Sequence, residues 1–184
     1  RGLYNEAMDR IASMGISRLE FTGIDIVQPK DDALTHANQV LQQRSGSDLE
    51  VDFQTVQENI ATHLSFATGT FDAVVCSLTL CSVEDPKMAL ENIKRVLRPN
   101  GGTFGYLEHV AVEPDEPYRF LEWQQQILDP LQQKVAANCH LYRRTEDTIA
   151  SVFGTSSTRL YHERFLVDDM WPVSCQCCGV IQKS

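Results

Sequence analysis

The sequence has no apolar run approaching the ~18 residues a membrane-crossing helix needs, and its first residues lack the charged-then-apolar order of a secretion signal. Basic side chains are scarce: 16 Lys and Arg stand against 25 Asp and Glu, a formal charge of −9. Such a balance repels a phosphate backbone, so nucleic acid is not expected as a general partner. Cysteine pairs at structural-zinc spacing are missing too. The six cysteines are Cys76, Cys81, Cys139, Cys175, Cys177 and Cys178, and they do not form two separated pairs. On a strand, Cys175 and Cys177 share one face while Cys178 points to the other, so those three do not converge on one ion. The reading is therefore no metal and buried free thiols, which fit a reducing, intracellular setting. Internal repeats and low-complexity tracts are also absent.

What is present is enough for a core. With 184 residues and 42% hydrophobic content, one domain over residues 1–184 is the expectation. Apolar strands alternate with helix-like segments, the pattern of an α/β sheet with mainly parallel order. A helix is expected at about Tyr4 to Ser13, then a strand near Leu19 to Asp25, then a helix from Asp31 or Asp32 to about Arg44. Glu50 to Val56 alternates like a short, half-buried strand. The continuous apolar run Phe71 to Leu78 reads as a central strand covered on both faces. Pro86 opens a helix whose stripe is Met88, Leu90, Ile93, Val96 and Leu97.

The stretch RVLRPNGGTFGYLEHV, Arg95 to Val110, then turns the chain abruptly: Pro99 ends the helix, and Asn100, Gly101 and Gly102 supply the conformations that reverse it into a new strand. Val112 to Pro117 reads as a solvated connection. A longer helix over about Tyr118 to Ala137 is expected to break near Leu128 to Pro130. Late strands near Thr158 to Val167 and Val173 to Gln182 form an antiparallel edge.

In an open α/β sheet, ligands gather beyond the carboxyl ends of the strands. That rule selects Asp25, which either reads two ribose hydroxyls or is a solvated strand-end acid. Glu58 and Asn59 either meet the edge of a purine, with Ile60 on its face, or cap a helix. Cys76, Ser77 and Leu78 either offer carbonyls to a ligand ammonium or simply pack. His109 either assists deprotonation of an acceptor or is a structural histidine bonded to a loop.

The run FDAVVCSLTLCSVEDPKMALENIKRVLRPNGGTFGYLEHV, followed by WQQQILDP and NCHLYRRT, resembles class I S-adenosylmethionine-dependent methyltransferases. It closely resembles the methyltransferase-like protein seven family of thiol S-methyltransferases. The resemblance implies a Rossmann-like sheet, mainly parallel with an antiparallel C-terminal edge. It also implies that the first strand and glycine-rich loop are missing, with Gly2 a remnant of that loop, and so an amino-terminally truncated chain. S-adenosylmethionine is the implied cofactor. Asp25 would hold the ribose, with Ile26 beside it in the cofactor site, Glu58, Asn59 and Ile60 the adenine, and Cys76 to Leu78 the methionine part. The implied partner is a small-molecule acceptor, foremost an alkyl thiol, with oxygen or lipid acceptors or a non-catalytic binding role as alternatives. Membrane association is implied only through a segment before Arg1.

Overall fold

The computed structural model describes residues 10–11, 13–30, 35–36, 39, 49–154 and 157–184. Gly2, most of the helix expected at Tyr4 to Ser13 and most of that expected up to Arg44 lie outside the described residues. The chain forms two compact units, residues 1–59 and 60–184.

In the first unit, β1 (Arg18–Asp25) pairs in parallel with β2 (Glu50–Gln57), Arg18 opposite Glu50 and Asp25 opposite Gln57. Both strands therefore end at the same level. Arg18 crosses the pair to Asp52 at 2.7 Å, an exposed link that contributes little to stability.

The second unit runs β3 (Ala73–Ser77), α1 (Pro86–Val96), β4 (Thr103–His109), α2 (Arg119–Val135), α3 (Thr145–Phe153), β5 (Ser157–Leu166) and β6 (Cys175–Lys183). Its sheet has the order β3-β4-β6-β5, with β3 and β4 parallel and β6 antiparallel to both neighbours. Asp85 caps α1 by accepting from the Met88 N–H at 2.9 Å, and Pro86 fills the first turn, where its missing N–H costs nothing. Ala89, Leu90, Ile93 and Val96 are buried against the sheet, each large side chain stabilising the fold by ~1.5–3 kcal/mol. Phe104 of β4 stacks on Phe153 of α3 at 5.4 Å, joining sheet and helix layers.

The turn before β4 follows the expected chemistry. Asn100 and Gly101 have φ of 58° and 122°, in the region glycine and asparagine tolerate. Gly102 is required for a different reason: a Cβ there would lie 2.4 Å from the Arg98 carbonyl oxygen.

Five expectations need correction. Strand β3 is not covered on both faces: Val75 is 76% exposed, and among the described residues β3 pairs only with β4. An apolar run reports hydrophobicity and cannot say how many neighbours a strand has. Helix α2 continues through Pro130 rather than breaking. Helix α3 was not anticipated, although Thr145, Ile149 and Phe153 form its buried stripe. Met88 lies on the exposed side of α1. Finally, the connection over residues 112–117 is only partly solvated: Val112 is fully buried, and Glu116 forms a two-pronged pair with Arg164 at 2.9 and 3.0 Å.

Candidate active site

The residues singled out at the strand ends fall into two groups. In the first unit, Asp25 closes β1 with an exposed carboxylate, one oxygen of which accepts from the Val27 N–H at 2.9 Å. That bond is local and turns the chain away from the strand, leaving the acid at the rim. The Asp25 carbonyl accepts from the Glu58 N–H at 3.0 Å, and the exposed Ile26 offers its carbonyl to the Gln57 amide at 3.0 Å. Asp25, Ile26, Glu58 and Asn59 thus share the carboxyl ends of two paired parallel strands, the ligand-gathering end of such a sheet.

In the second unit, the carboxyl ends of β3 and β4 lie side by side, and the Leu78 N–H extends their ladder by donating to the Leu107 carbonyl at 2.8 Å. Cys76 faces the core, where burial pushes its thiol up to about 12, so it is inert as a nucleophile. Ser77 is exposed and its carbonyl accepts from the Thr79 hydroxyl. Leu78 has φ of 51°, a left-handed conformation costly for a leucine. Strain of this kind persists only where the surroundings over-determine it. Ile60 packs against the core, and its carbonyl accepts from Asn92 at 3.0 Å.

The over-determination is visible. Glu108, fully buried at the end of β4, accepts from the Thr79 and Leu80 N–H groups at 2.9 and 3.0 Å with one oxygen, and from the Cys81 N–H at 3.3 Å with the other. Burial raises its carboxyl pKa, while those three N–H groups oppose the rise. From the other side, Arg143 donates to the Leu80 and Val83 carbonyls at 2.7 and 2.8 Å, Asn138 donates to the Ser82 carbonyl at 2.9 Å, and the His140 N–H donates to the Cys81 carbonyl at 2.9 Å. The loop after β3 is therefore held along both backbone edges.

This clamp fixes Cys81 beside two further side chains. His109 is 2% exposed, and its Nε2 lies 2.9 Å from the Cys139 sulfur. Donor atoms of Cys81, His109 and Cys139 all lie within 4.8 Å of one another. A hydrogen bond from Cys81 holds the Cys139 thiol down to about 4, against the opposing effect of burial and with help from His109, while Cys81 is raised. His109 engages a cysteine inside the protein. Sequence reasoning did not find Cys139, nor Glu108 as a loop anchor; NCHLYRRT and VVCSLTLCSV contain the relevant residues, but their convergence is a matter of fold.

Parallel β1 and β2, and a mixed sheet in which β6 runs antiparallel between β4 and β5, belong to a class I Rossmann-like methyltransferase fold. Solved structures share it: a SAM-dependent methyltransferase from Methanosarcina mazei matches with a TM-score of 0.59 at 20% identity, covering 95% of this chain and 85% of that one. A putative methyltransferase from Bacillus halodurans matches with a TM-score of 0.58 at 12% identity, over 99% of both chains. The family described as methyltransferase domain matches residues 2–105, and the chain belongs to that family. Human thiol S-methyltransferase TMT1B is 44% identical over 79 residues, covering 43% of this chain and 31% of the relative. Human thiol S-methyltransferase TMT1A matches to the same extent. The matched stretch spans less than a third of the length of these relatives.

Proposed function

We propose that the protein transfers a methyl group from S-adenosylmethionine to the sulfur of a small alkyl thiol. The observation that carries this reading is the 44% identity to two human thiol S-methyltransferases, within a chain whose family is that of the methyltransferase domain. When bound, the cofactor supplies an electrophilic sulfonium methyl group, which the acceptor sulfur takes as a neutral thioether leaves and the thiol proton passes to solvent. Such a displacement asks the protein for alignment and exclusion of water more than for covalent participation. A thiol suits it, because its thiolate is accessible near neutral pH. The charge of −9 disfavours polyanionic acceptors such as RNA.

Asp25 fits the ribose role: an exposed carboxylate at the carboxyl end of a parallel strand can accept from both hydroxyls of a diol. Asp25→Ala in the full-length protein should weaken S-adenosylmethionine binding by about 1.5–3 kcal/mol, the range for hydrogen bonds to a charged group, as read by calorimetry. Equal affinities would remove Asp25 from the site. Product mass spectrometry over a panel of acceptors decides the substrate; methylated RNA with no thiol product would overturn the thiol assignment.

A further inference from the structure

We propose that Cys81, His109 and Cys139 form a buried three-donor site for a single zinc ion, at the carboxyl ends of β3 and β4. The proposal concerns metal binding and does not depend on the acceptor.

Geometry supports it first. Two sulfurs and one imidazole nitrogen converge within 4.8 Å from three separate elements: the loop after β3, the end of β4 and the segment after α2. On a tetrahedral zinc with Zn–S of ~2.3 Å and Zn–N of ~2.0 Å, two sulfurs stand ~3.8 Å apart and a sulfur and nitrogen ~3.5 Å apart. The donors are thus close to a zinc ligand set already, and adjustments well under the length of a side chain complete it. Three protein donors leave the fourth corner for water. Thiolate and imidazole are donors that zinc accepts and that magnesium and calcium do not favour.

The surroundings agree. All three side chains are buried. Outer partners of the ligands are in place: the Gln132 amide points at the Cys139 sulfur at 3.8 Å, Cys81 Sγ lies 3.4 Å from the Leu78 carbonyl, and Glu108 fixes the Cys81 backbone. Such partners orient metal ligands. Cation entry requires both sulfurs as thiolates, and any proton they carry leaves to solvent.

The test uses the full-length protein purified under reductant. Elemental analysis should find one zinc per chain. After chelation, titration with cobalt(II) should give sulfur-to-cobalt charge-transfer absorption together with the visible bands of a tetrahedral ion. Cys139→Ser should weaken cobalt binding at least ~100-fold, beyond the loss caused by outer-shell changes, whereas Cys178→Ser, outside the cluster, should leave the spectrum unchanged. If Cys139→Ser fails to fold, X-ray absorption at the zinc edge of the unaltered protein replaces it, with two sulfurs and one imidazole in the first shell expected. Failure of reduced protein to bind either metal, a cobalt spectrum without sulfur charge transfer, or a zinc shell lacking sulfur would overturn the site.

Discussion

Glu108→Gln tests whether the loop after β3 is held by a carboxylate or merely touches one. In the native protein one carboxylate oxygen serves Thr79 and Leu80 and the other serves Cys81, at 2.9, 3.0 and 3.3 Å. The amide retains one acceptor oxygen, so the first two bonds survive if that oxygen takes their side. Its NH2 group then faces the Cys81 N–H, donor against donor, in a site fully closed to water. A buried donor left unmade costs ~1–3 kcal/mol. Relief from burying a charge offsets part of this, so the net loss should be about 2 kcal/mol. For a chain of this size 1 kcal/mol moves Tm by ~2–4 °C, so a fall of ~4–8 °C is expected in thermal unfolding followed by circular dichroism. The loss should be accompanied by faster amide hydrogen exchange at Thr79 to Cys81. An unchanged Tm with unchanged exchange would refute the reasoning, because it would mean that Arg143, Asn138 and His140 hold the loop alone.

Gly102→Ala should destabilise the fold by ~1–3 kcal/mol, since the new Cβ meets backbone, 2.4 Å from the Arg98 oxygen, and only opening of the turn relieves it; thermal unfolding that matches the native protein would show that the turn has slack. Glu116 gives an acid dependence. Burial raises its pKa, but the hydrogen bonds and charge of Arg164 prevail and hold the carboxyl below its usual range. A depressed folded value means that the pair stabilises the fold above the unfolded glutamate pKa of ~4.3 and that this contribution is lost as pH falls through the folded value. Urea unfolding across that window should show a steeper acid loss for the native protein than for Glu116→Gln, and equal slopes would dismiss the pair as a source of acid sensitivity.

Local chemistry was legible in the sequence where it is decided locally. Pro99, Asn100 and Gly101 mark the end of α1 because no other residue types make that reversal without strain, and Asp25 stands out because its strand ends there. The late antiparallel pair of β5 and β6 was readable from two strand-like segments flanking the turn-like DDMWP, and Cys175 and Cys177 are both buried. What was not legible depends on distant partners. Val75 is indistinguishable in sequence from a doubly covered residue, and its exposure depends on what packs on that face of the sheet. Pro130 lies inside α2, where it removes one backbone bond without ending the helix. Cysteine spacing describes only residues close in sequence. Here Cys81 and Cys139 are brought together by the crossing of a strand-end loop and the turn after α2.

That crossing explains why Leu78 tolerates its left-handed backbone. Such a conformation costs a non-glycine residue ~1–2 kcal/mol, and a free loop would relax out of it. Leu78 is tied to Leu107 on one side and followed at once by the three N–H groups that Glu108 captures. A charged acceptor contributes ~1.5–3 kcal/mol per bond, more than enough to hold the strained residue in place. The left-handed turn at Ala137 and Asn138 does the complementary work, lifting Cys139 out of the helix direction while Asn138 grips Ser82. Two left-handed turns, linked by the bond from the Asn138 side chain to the Ser82 carbonyl, place two sulfurs and an imidazole together. Since unsupported strain would relax on folding, these bonds are what keep the two turns in place, and the convergent donors are the chemically distinctive group they hold.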